Sequence, residues 1–207
     1  AGMTVTEITP LDKRRSKVIL DEDFALALYN GEIKRYHIET GEELPEETYR
    51  EIMEEILLKR AVERVCYLLK SSDKTEQELR KKLKDGYYPG EAIDYAIEFL
   101  KKHRYINDEE YGRRYVEYHS TKKSKRQIQY ELQRKGLSKE AVTDILEEHP
   151  VDEEAQIRDY IRRKRLEPEA MTLEERRKAM AALGRKGFSF ETVNRVFGSK
   201  YGDDGAF

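Results

Sequence analysis

The chain has little of what disulfide-rich or membrane proteins depend on. It contains one cysteine, no tryptophan and no long apolar run. A single thiol, Cys66, forms no disulfide within the chain and no zinc site alone, so we interpret it as a small buried hydrophobic residue. No stretch of about 18 apolar residues and no signal-type segment is present, which predicts a protein without a membrane association. A reducing cytoplasm agrees with this composition.

The sequence also lacks the residue patterns of catalytic and cofactor sites. Its four histidines fall in separate predicted elements, with no HxxxH, HExxH or cysteine partner. It contains no phosphate-binding glycine motif, nucleophile elbow or kinase signature. Acidic runs at residues 21–23 and 108–110 fit a turn and a helix start better than a metal site, because the helix dipole favours acids there. We therefore expect no enzyme activity, no cofactor and no metal.

Charge is abundant but unevenly distributed. Charged residues make up 40% of the chain, yet the net charge is only −2. Residues 1–57 carry 7 basic and 14 acidic side chains, whereas the remainder carries 33 basic and 28 acidic side chains. The apolar residues are periodic, which predicts a folded protein with thin cores. The change in charge balance indicates a domain boundary near Pro45, where the pattern becomes helical.

A sequence pattern typical of helices occurs three times, at residues 75–93, 124–142 and 172–193. Each copy opens with a capping residue followed three positions later by Glu or Gln, runs to a leucine and stops at a glycine. The glycines lie 50 and 51 residues apart and suit the left-handed residue after a helix end: Gly86, Gly136 and Gly187. A fixed period of this size is typical of helical repeats, which present long surfaces to macromolecules.

We therefore predict a mainly α protein with three tandem three-helix repeats in an elongated array and a small β-like N-terminal segment. The expected domains are a β-like extension at 1–45, repeat one at 46–104, repeat two at 105–150, repeat three at 151–198 and a tail at 199–207. The third copy has the longest distance from cap to glycine, so either its middle helix is longer or its cap lies elsewhere. Deletion of residues 1–45 is expected to leave the repeats folded.

Within the extension, three short apolar runs read as strands: residues 5–8, 17–20 and 24–28. The last run has one turn of helix as its alternative. Asn30-Gly31 reads as a tight turn before a further run at 33–38. Residues 46–70 have apolar positions three and four apart, which predicts either one helix or two helices with a break near Leu57.

Basic side chains are concentrated at the joints between the first and second helices of repeats two and three. Residues 101–136 hold 11 basic and 5 acidic side chains, and residues 158–187 hold 10 and 5. Such clusters either solvate helix faces or bind a phosphate backbone or an acidic protein surface. Because equivalent joints of successive repeats lie along one edge, we predict one binding stripe, made of Arg113, Arg114, Lys122, Lys123, Lys125, Arg126, Arg162, Arg163, Lys164 and Arg165.

Tyrosines are interleaved with the first basic cluster. Tyr111, Tyr115 and Tyr118 have the three–four spacing of an apolar stripe, so we assign them to the core of repeat two. Tyr130 lies in the same basic stretch.

Three features together resemble the RecX family of recombination regulators. These are the tandem three-helix units, the block Tyr-Ile-Asn-Asp-Glu-Glu-Tyr at 105–111 and the block from Gln127 to Gly136-Leu. The helix at 78–83 with Gly86 adds to the similarity, which covers residues 57–198. The resemblance implies a protein that binds the RecA recombinase filament on single-stranded DNA and suppresses its activities. It implies no catalytic residues.

Two functions remain open on the sequence alone. The first is a non-enzymatic regulator that engages the RecA filament and the single-stranded DNA within it, with at most weak direct DNA binding. The second is a helical nucleic-acid-binding protein that acts on DNA directly. The near-neutral charge of the chain disfavours strong autonomous DNA binding. We expect a monomer.

Overall fold

The computed structural model describes residues 2–198, and the tail predicted at 199–207 lies outside the described residues. A four-stranded antiparallel sheet forms the N-terminal part, in the order β3-β2-β1-β4. Its strands are β1 (Met3–Pro10), β2 (Arg15–Leu20), β3 (Phe24–Tyr29) and β4 (Glu43–Leu44). Side chains alternate along β2 and β3, so Val18, Leu20, Leu26 and Leu28 are fully buried while their neighbours face outward.

The chain does not make the predicted tight turn at Asn30-Gly31. Residues Asn30–Arg35 form the short helix α1, and residues 33–38 form no strand. The β2–β3 ladder ends at the pair Arg15 and Tyr29. Glu32 starts the helix because its carboxylate accepts the backbone N–H of Tyr29 at 2.8 Å and a bidentate contact from Arg60. The helical alternative for 24–28 is also wrong, since this run is β3.

One continuous helical stretch runs from Glu46 to Ser71, without a break at Leu57. It consists of α2 (Glu46–Ile52), a π-helical turn (Met53–Leu57) and α3 (Leu58–Ser71). Ile52, Met53, Leu57, Ala61 and Val65 are buried along this stretch. A π turn accommodates one extra residue in a helix, so both helical segments keep an apolar face toward the core.

The three predicted three-helix repeats are confirmed. Repeat one contains α3, α4 (Glu76–Asp85) and α5 (Gly90–Lys102). Repeat two contains α6 (Asp108–His119), α7 (Lys125–Arg134) and α8 (Lys139–Glu148). Repeat three contains α9 (Glu153–Arg163), α10 (Leu173–Arg185) and α11 (Phe190–Phe197). Thr172 caps α10, so the third copy is longer because its middle helix is longer.

The hydrophobic cores divide differently from the repeats. The sheet and repeat one share one continuous core, which joins Val18 and Leu28 of the sheet to Val65 and Ile97 of the repeat. Repeat two has its own core around Val116 and Leu132, and repeat three has another around Leu183. The chain forms two compact units, one ending at Asn107 and the other starting at Asp108.

The predicted N-caps of the middle helices are present, and the predicted left-handed glycines are present in repeats two and three but not in repeat one. The hydroxyls of Thr75, Ser124 and Thr172 accept a backbone N–H three residues on. Gly136 and Gly187 have φ near +100°, as a left-handed position after a helix requires.

In repeat one the corresponding left-handed residue is Tyr87, with φ of 62°, and Gly86 lies one position earlier with φ of −89°. The prediction for Gly86 is therefore wrong. The closing bond runs from Tyr88 N–H to Leu83 O, five residues apart like the bond from Leu137 to Leu132. Tyr88, and not Tyr87, is thus equivalent to Leu137.

None of the helices within residues 2–198 combines the length and the hydropathy that a membrane-spanning helix requires. The same residues contain no group of three or more His, Cys, Asp or Glu side chains able to hold a metal ion.

Candidate partner-binding surface

The ten predicted basic residues all lie in the unit that starts at Asp108. Arg113 and Arg114 belong to α6, Lys122 and Lys123 to the joint after it, and Lys125 and Arg126 to the first turn of α7. Arg162 and Arg163 end α9, and Lys164 and Arg165 follow it.

Half of these side chains already contact carboxylates of their own repeat. Arg113 lies 3.5 Å from Glu109 and 3.6 Å from Glu148, and Arg114 lies 3.8 Å from Glu110. Lys123, Arg162 and Arg163 also form ion pairs, the first with Glu131 and the other two with Asp159. The remaining five are exposed and, within residues 2–198, have no carboxylate at ion-pair distance: Lys122, Lys125, Arg126, Lys164 and Arg165.

Lys123 has a structural role. Its Nζ lies 2.7 Å from Glu131 and 5.5 Å from the centre of the Tyr115 ring, and its side chain is 26% exposed. Burial would raise the pKa of Glu131, but hydrogen bonds from Lys123, Tyr115 and Gln127 outweigh it and lower that pKa. Burial and the Glu131 carboxylate both raise the pKa of Tyr115. This ammonium is therefore directed into repeat two and is less available to a partner than its neighbours.

The joint of repeat two is fixed against repeat three by hydrogen bonds. The Ser124 hydroxyl donates to the carbonyl of Lys186 at 2.8 Å, in addition to capping α7. The Gln156 amide, which is buried, donates to the carbonyls of Ser120 and Lys123 at 2.9 and 2.8 Å. These bonds hold the backbone that carries the first basic cluster against the helices that carry the second.

A cleft of about 400 Å³ lies along this contact and brings the two clusters together. Lys122 lines it from repeat two, and Arg163 lines it from repeat three. Lys186 is a third cation of the same cleft, with its Nζ 5.3 Å from the centre of the Tyr160 ring. Apolar contact surface comes from Phe188. Asp159 also lines the cleft and pairs with Arg163, so Lys122 and Lys186 are the cations available to hold an anionic group beside a planar or apolar one.

Sequence reasoning missed Lys186, although a signal for it exists. The tripeptide Arg-Lys-Gly occurs at 134–136 and again at 185–187, at equivalent positions of repeats two and three. The lysine precedes the left-handed glycine, so repeats two and three both carry a cation at the end of the middle helix. In repeat two this cation, Lys135, lies near the rings of Tyr111 and Tyr115.

The core assignment is right for two tyrosines and wrong for the third. Tyr111 and Tyr115 are half-buried against the core of repeat two, whereas Tyr118 is 70% exposed. The next inward position after Tyr115 is taken by His119, four residues on, with ring centres 4.3 Å apart. Tyr118 instead points outward, 5.6 Å below the Nζ of Lys122.

Tyr130 is exposed as well, and its hydroxyl accepts a hydrogen bond from Arg134 at 3.1 Å. Repeat two therefore presents two exposed pairs of an aromatic ring and a cation, Tyr118 with Lys122 and Tyr130 with Arg134.

Comparison with known proteins gives one consistent result. Family models described as the first, second and third three-helix domains of RecX match residues 61–100, 107–146 and 152–197. A "Regulatory protein RecX" of Clostridium beijerinckii is 32% identical over 146 residues, which cover 70% of this chain and 68% of that protein. One of Clostridium tetani is 24% identical and aligns with 98% of this chain and 96% of its own length.

Two solved structures share the fold. A crystal structure of regulatory protein RecX matches with a TM-score of 0.59 at 22% identity, covering 94% of this chain and 98% of that chain. The crystal structure of RecX from Lactobacillus salivarius matches with a TM-score of 0.56 at 19% identity, covering 68% of this chain and 94% of that chain. The β-sheet at residues 3–44 lies outside all three family models.

Proposed function

Since the chain belongs to the RecX family, we propose that it is a regulator of recombination and DNA repair that binds the RecA filament on single-stranded DNA and inhibits RecA. The proposal is supported by membership of the family and by the exposed basic residues of repeats two and three. It assigns no catalytic step and no cofactor to the chain, which acts by occupying its target.

The cleft between repeats two and three is the observation that carries this proposal. It combines Lys122 and Arg163, which are 41 positions apart in the sequence, with Lys186. A filament on single-stranded DNA is a long polyanionic target, and contacts at several points of one rigid surface act at high effective concentration. The proposed contact surface consists of the ten predicted residues and Lys186.

Direct binding to DNA is the second candidate, because of the exposed pairs of Tyr118 with Lys122 and Tyr130 with Arg134. Aromatic rings beside cations stack on bases and hold phosphates of single strands. The two candidates separate in a salt titration with naked single-stranded DNA. Direct binding predicts a steep decrease, with the logarithm of the affinity falling by about 0.7 per phosphate neutralised. A regulator that needs the filament binds naked DNA weakly yet inhibits RecA at substoichiometric amounts.

The test is the ATPase activity of RecA on single-stranded DNA with the parent protein and with a variant in which Arg162, Arg163, Lys164 and Arg165 are all replaced by glutamate. We expect single alanine changes to have small effects, because exposed charges contribute about 0–1 kcal/mol each. The quadruple reversal should weaken inhibition strongly and reduce its salt dependence.

A matched control reverses four exposed lysines outside the proposed surface: Lys70, Lys84, Lys102 and Lys139. This control has the same net charge as the test variant and should inhibit like the parent. Equal inhibition by the parent and by the test variant would mean that the four basic residues only solvate a helix face.

A further inference from the structure

A second cleft, of about 660 Å³, lies in the unit that ends at Asn107, between the edge of the sheet and repeat one. Its walls are formed by β3, by α3 and by the end of α4 with the loop after it. The residues that matter most in these walls are Ala27, Tyr29, Arg60, Arg64, Lys82 and Tyr88. None of them belongs to the surface proposed for the RecA filament.

Strand β3 forms one edge of the sheet, and among the described residues the outward backbone groups of its Ala25 and Ala27 have no hydrogen-bond partner. The backbone N–H of Asn30 donates to Arg14 O, and that of Tyr29 donates to the Glu32 carboxylate. The pair Arg15 and Tyr29 is therefore a non-hydrogen-bonded pair, and every second residue of β3 repeats its orientation. It follows that the N–H and C=O groups of Ala25 and Ala27 point away from β2. No residue in the described range 2–198 supplies a partner for them.

The side chains along this edge leave room for an incoming strand. Ala25 and Ala27 are small, and Ala27 lines the cleft directly. Tyr29, at the end of the strand, is held under the guanidinium of Arg60, which lies 4.7 Å from the ring centre. Arg60 in turn forms two hydrogen bonds to Glu32, at 3.1 and 2.6 Å. Contacts with Arg60 and Glu32 therefore hold Tyr29 in place at this end of the cleft.

Two cations in the cleft are free to meet an acidic group. Arg64 and Lys82 line it, and neither has a carboxylate of residues 2–198 at ion-pair distance. The guanidiniums of Arg60, Arg64 and Arg15 lie close enough to the Tyr88 hydroxyl to oppose the effect of burial, which raises the pKa of that tyrosine. Four basic side chains line the cleft against two acidic ones, Glu63 and Asp85, so its lining carries a net positive charge.

We propose that this cleft binds an extended acidic segment of a partner protein, which adds a strand to β3 and places its carboxylates against Arg64 and Lys82. Strand addition of this kind satisfies both donors and acceptors of an open edge, while the side-chain pockets select the sequence. The inference goes beyond the proposed function and does not depend on it, because it concerns residues of the other compact unit.

The open edge favours a peptide over a nucleic-acid strand. Ala25 and Ala27 offer carbonyl acceptors as well as N–H donors, and a phosphodiester backbone has no donor for the carbonyls. An extended peptide supplies an N–H and a C=O at every second residue and carries its charges only where acidic side chains occur.

The experiment measures fluorescence anisotropy of a labelled heptapeptide of alternating valine and glutamate on titration with the full chain. We expect saturable binding, lost when the valine–glutamate peptide is replaced by its valine–lysine counterpart. The variant R64E/K82E should bind about tenfold more weakly, since two favourable charge contacts become repulsive. The control K70E/K102E carries the same change of charge outside the cleft and should bind like the parent.

A change in the ligand tests the strand addition without altering the protein. Methylation of alternate peptide nitrogens removes the donors on one edge of the peptide, and one of the two alternating patterns should abolish binding. The proposal is overturned if the acidic peptide does not bind, if both methylation patterns bind normally, or if R64E/K82E binds it as tightly as the parent. Binding of a labelled oligothymidine that depends on Arg64 and Lys82, without peptide binding, would assign the cleft to nucleic acid instead.

Discussion

Gly112 lies where α6 packs closely against the core of repeat two. A Cβ at this position of α6 would lie 2.6 Å from Ile145 and 2.7 Å from Leu137, both buried. The cost of displacing these two buried side-chain ends should exceed the roughly 1 kcal/mol that alanine gains over glycine in a helix, so Gly112→Ala should lower the free energy of unfolding by about 1–2 kcal/mol. Chemical denaturation of the variant measures this loss.

Gly184 provides the matched control, since it is also helical but a Cβ there would meet nothing within 4 Å. Gly184→Ala should leave stability unchanged or raise it by up to about 1 kcal/mol, because alanine restricts the unfolded chain. If both variants behave alike, the close approach of α6 to Leu137 and Ile145 is not a constraint on the fold.

Individual side chains also show where sequence patterns stop being informative. The three–four spacing correctly placed Tyr111 and Tyr115 against the core but did not distinguish Tyr118 from His119 as the next inward residue. A histidine is not scored as apolar, although its ring packs here like one. The left-handed position at Tyr87 was missed for a similar reason, because the neighbouring glycine offered the stronger signal.

At the scale of the elements, the joint between α6 and α7 couples repeats two and three. Ser124 and Ser138 are both N-caps that accept a backbone N–H three residues on. Only Ser124 also donates to a carbonyl of the next repeat, that of Lys186, and it is buried. We expect Ser138→Ala to cost about 1 kcal/mol of stability and Ser124→Ala about 2–3 kcal/mol.

Hydrogen exchange separates the two roles of Ser124, the bond to Lys186 of repeat three and the cap of α7. Ser124→Ala should reduce protection in α10 and α11 as well as in α7, whereas Ser138→Ala should affect only repeat two. Unchanged protection of α10 in the Ser124 variant would mean that the bond to Lys186 contributes nothing to the joint.

The helices of the repeats and the strands predicted at 5–8, 17–20 and 24–28 could be predicted from local patterns, whereas the short helix α1 could not. Caps such as Thr75 and Ser124 act on amides within three residues, so their effect is visible in a short stretch of sequence. The helix at Asn30 depends on Glu32 being held by Arg60, which is 28 residues away, and no local pattern reports that contact. The basic clusters were found from composition, but the cleft that joins Lys122 to Arg163 required the packing of two repeats.

At the scale of the whole chain, the shared core changes the outcome expected from deleting residues 1–45. The sequence pattern predicted that the repeats would stay folded. The structure instead buries Ile52 and Leu57 in one core with the sheet. Deletion should therefore expose apolar surface and unfold or strongly destabilise repeat one, while repeats two and three keep their own cores.

Hydrogen exchange of the truncated protein measures this directly, since α3 and α5 should lose protection while α7 and α10 retain it. Full protection of α3 and α5 after deletion would restore the original prediction of an independent extension.

The π-helical turn at Met53–Leu57 sets the angular phase between two helical faces. Each residue of an α-helix advances the direction of its side chain by about 100°. The extra residue in the turn therefore acts as a phase correction, letting Ile52 before the turn and Ala61 after it both point inward. Without it, the apolar stripe of α3 would be rotated by roughly a quarter turn relative to that of α2. One additional residue thus determines whether the apolar faces of α2 and α3 both pack against the core that the sheet shares with repeat one.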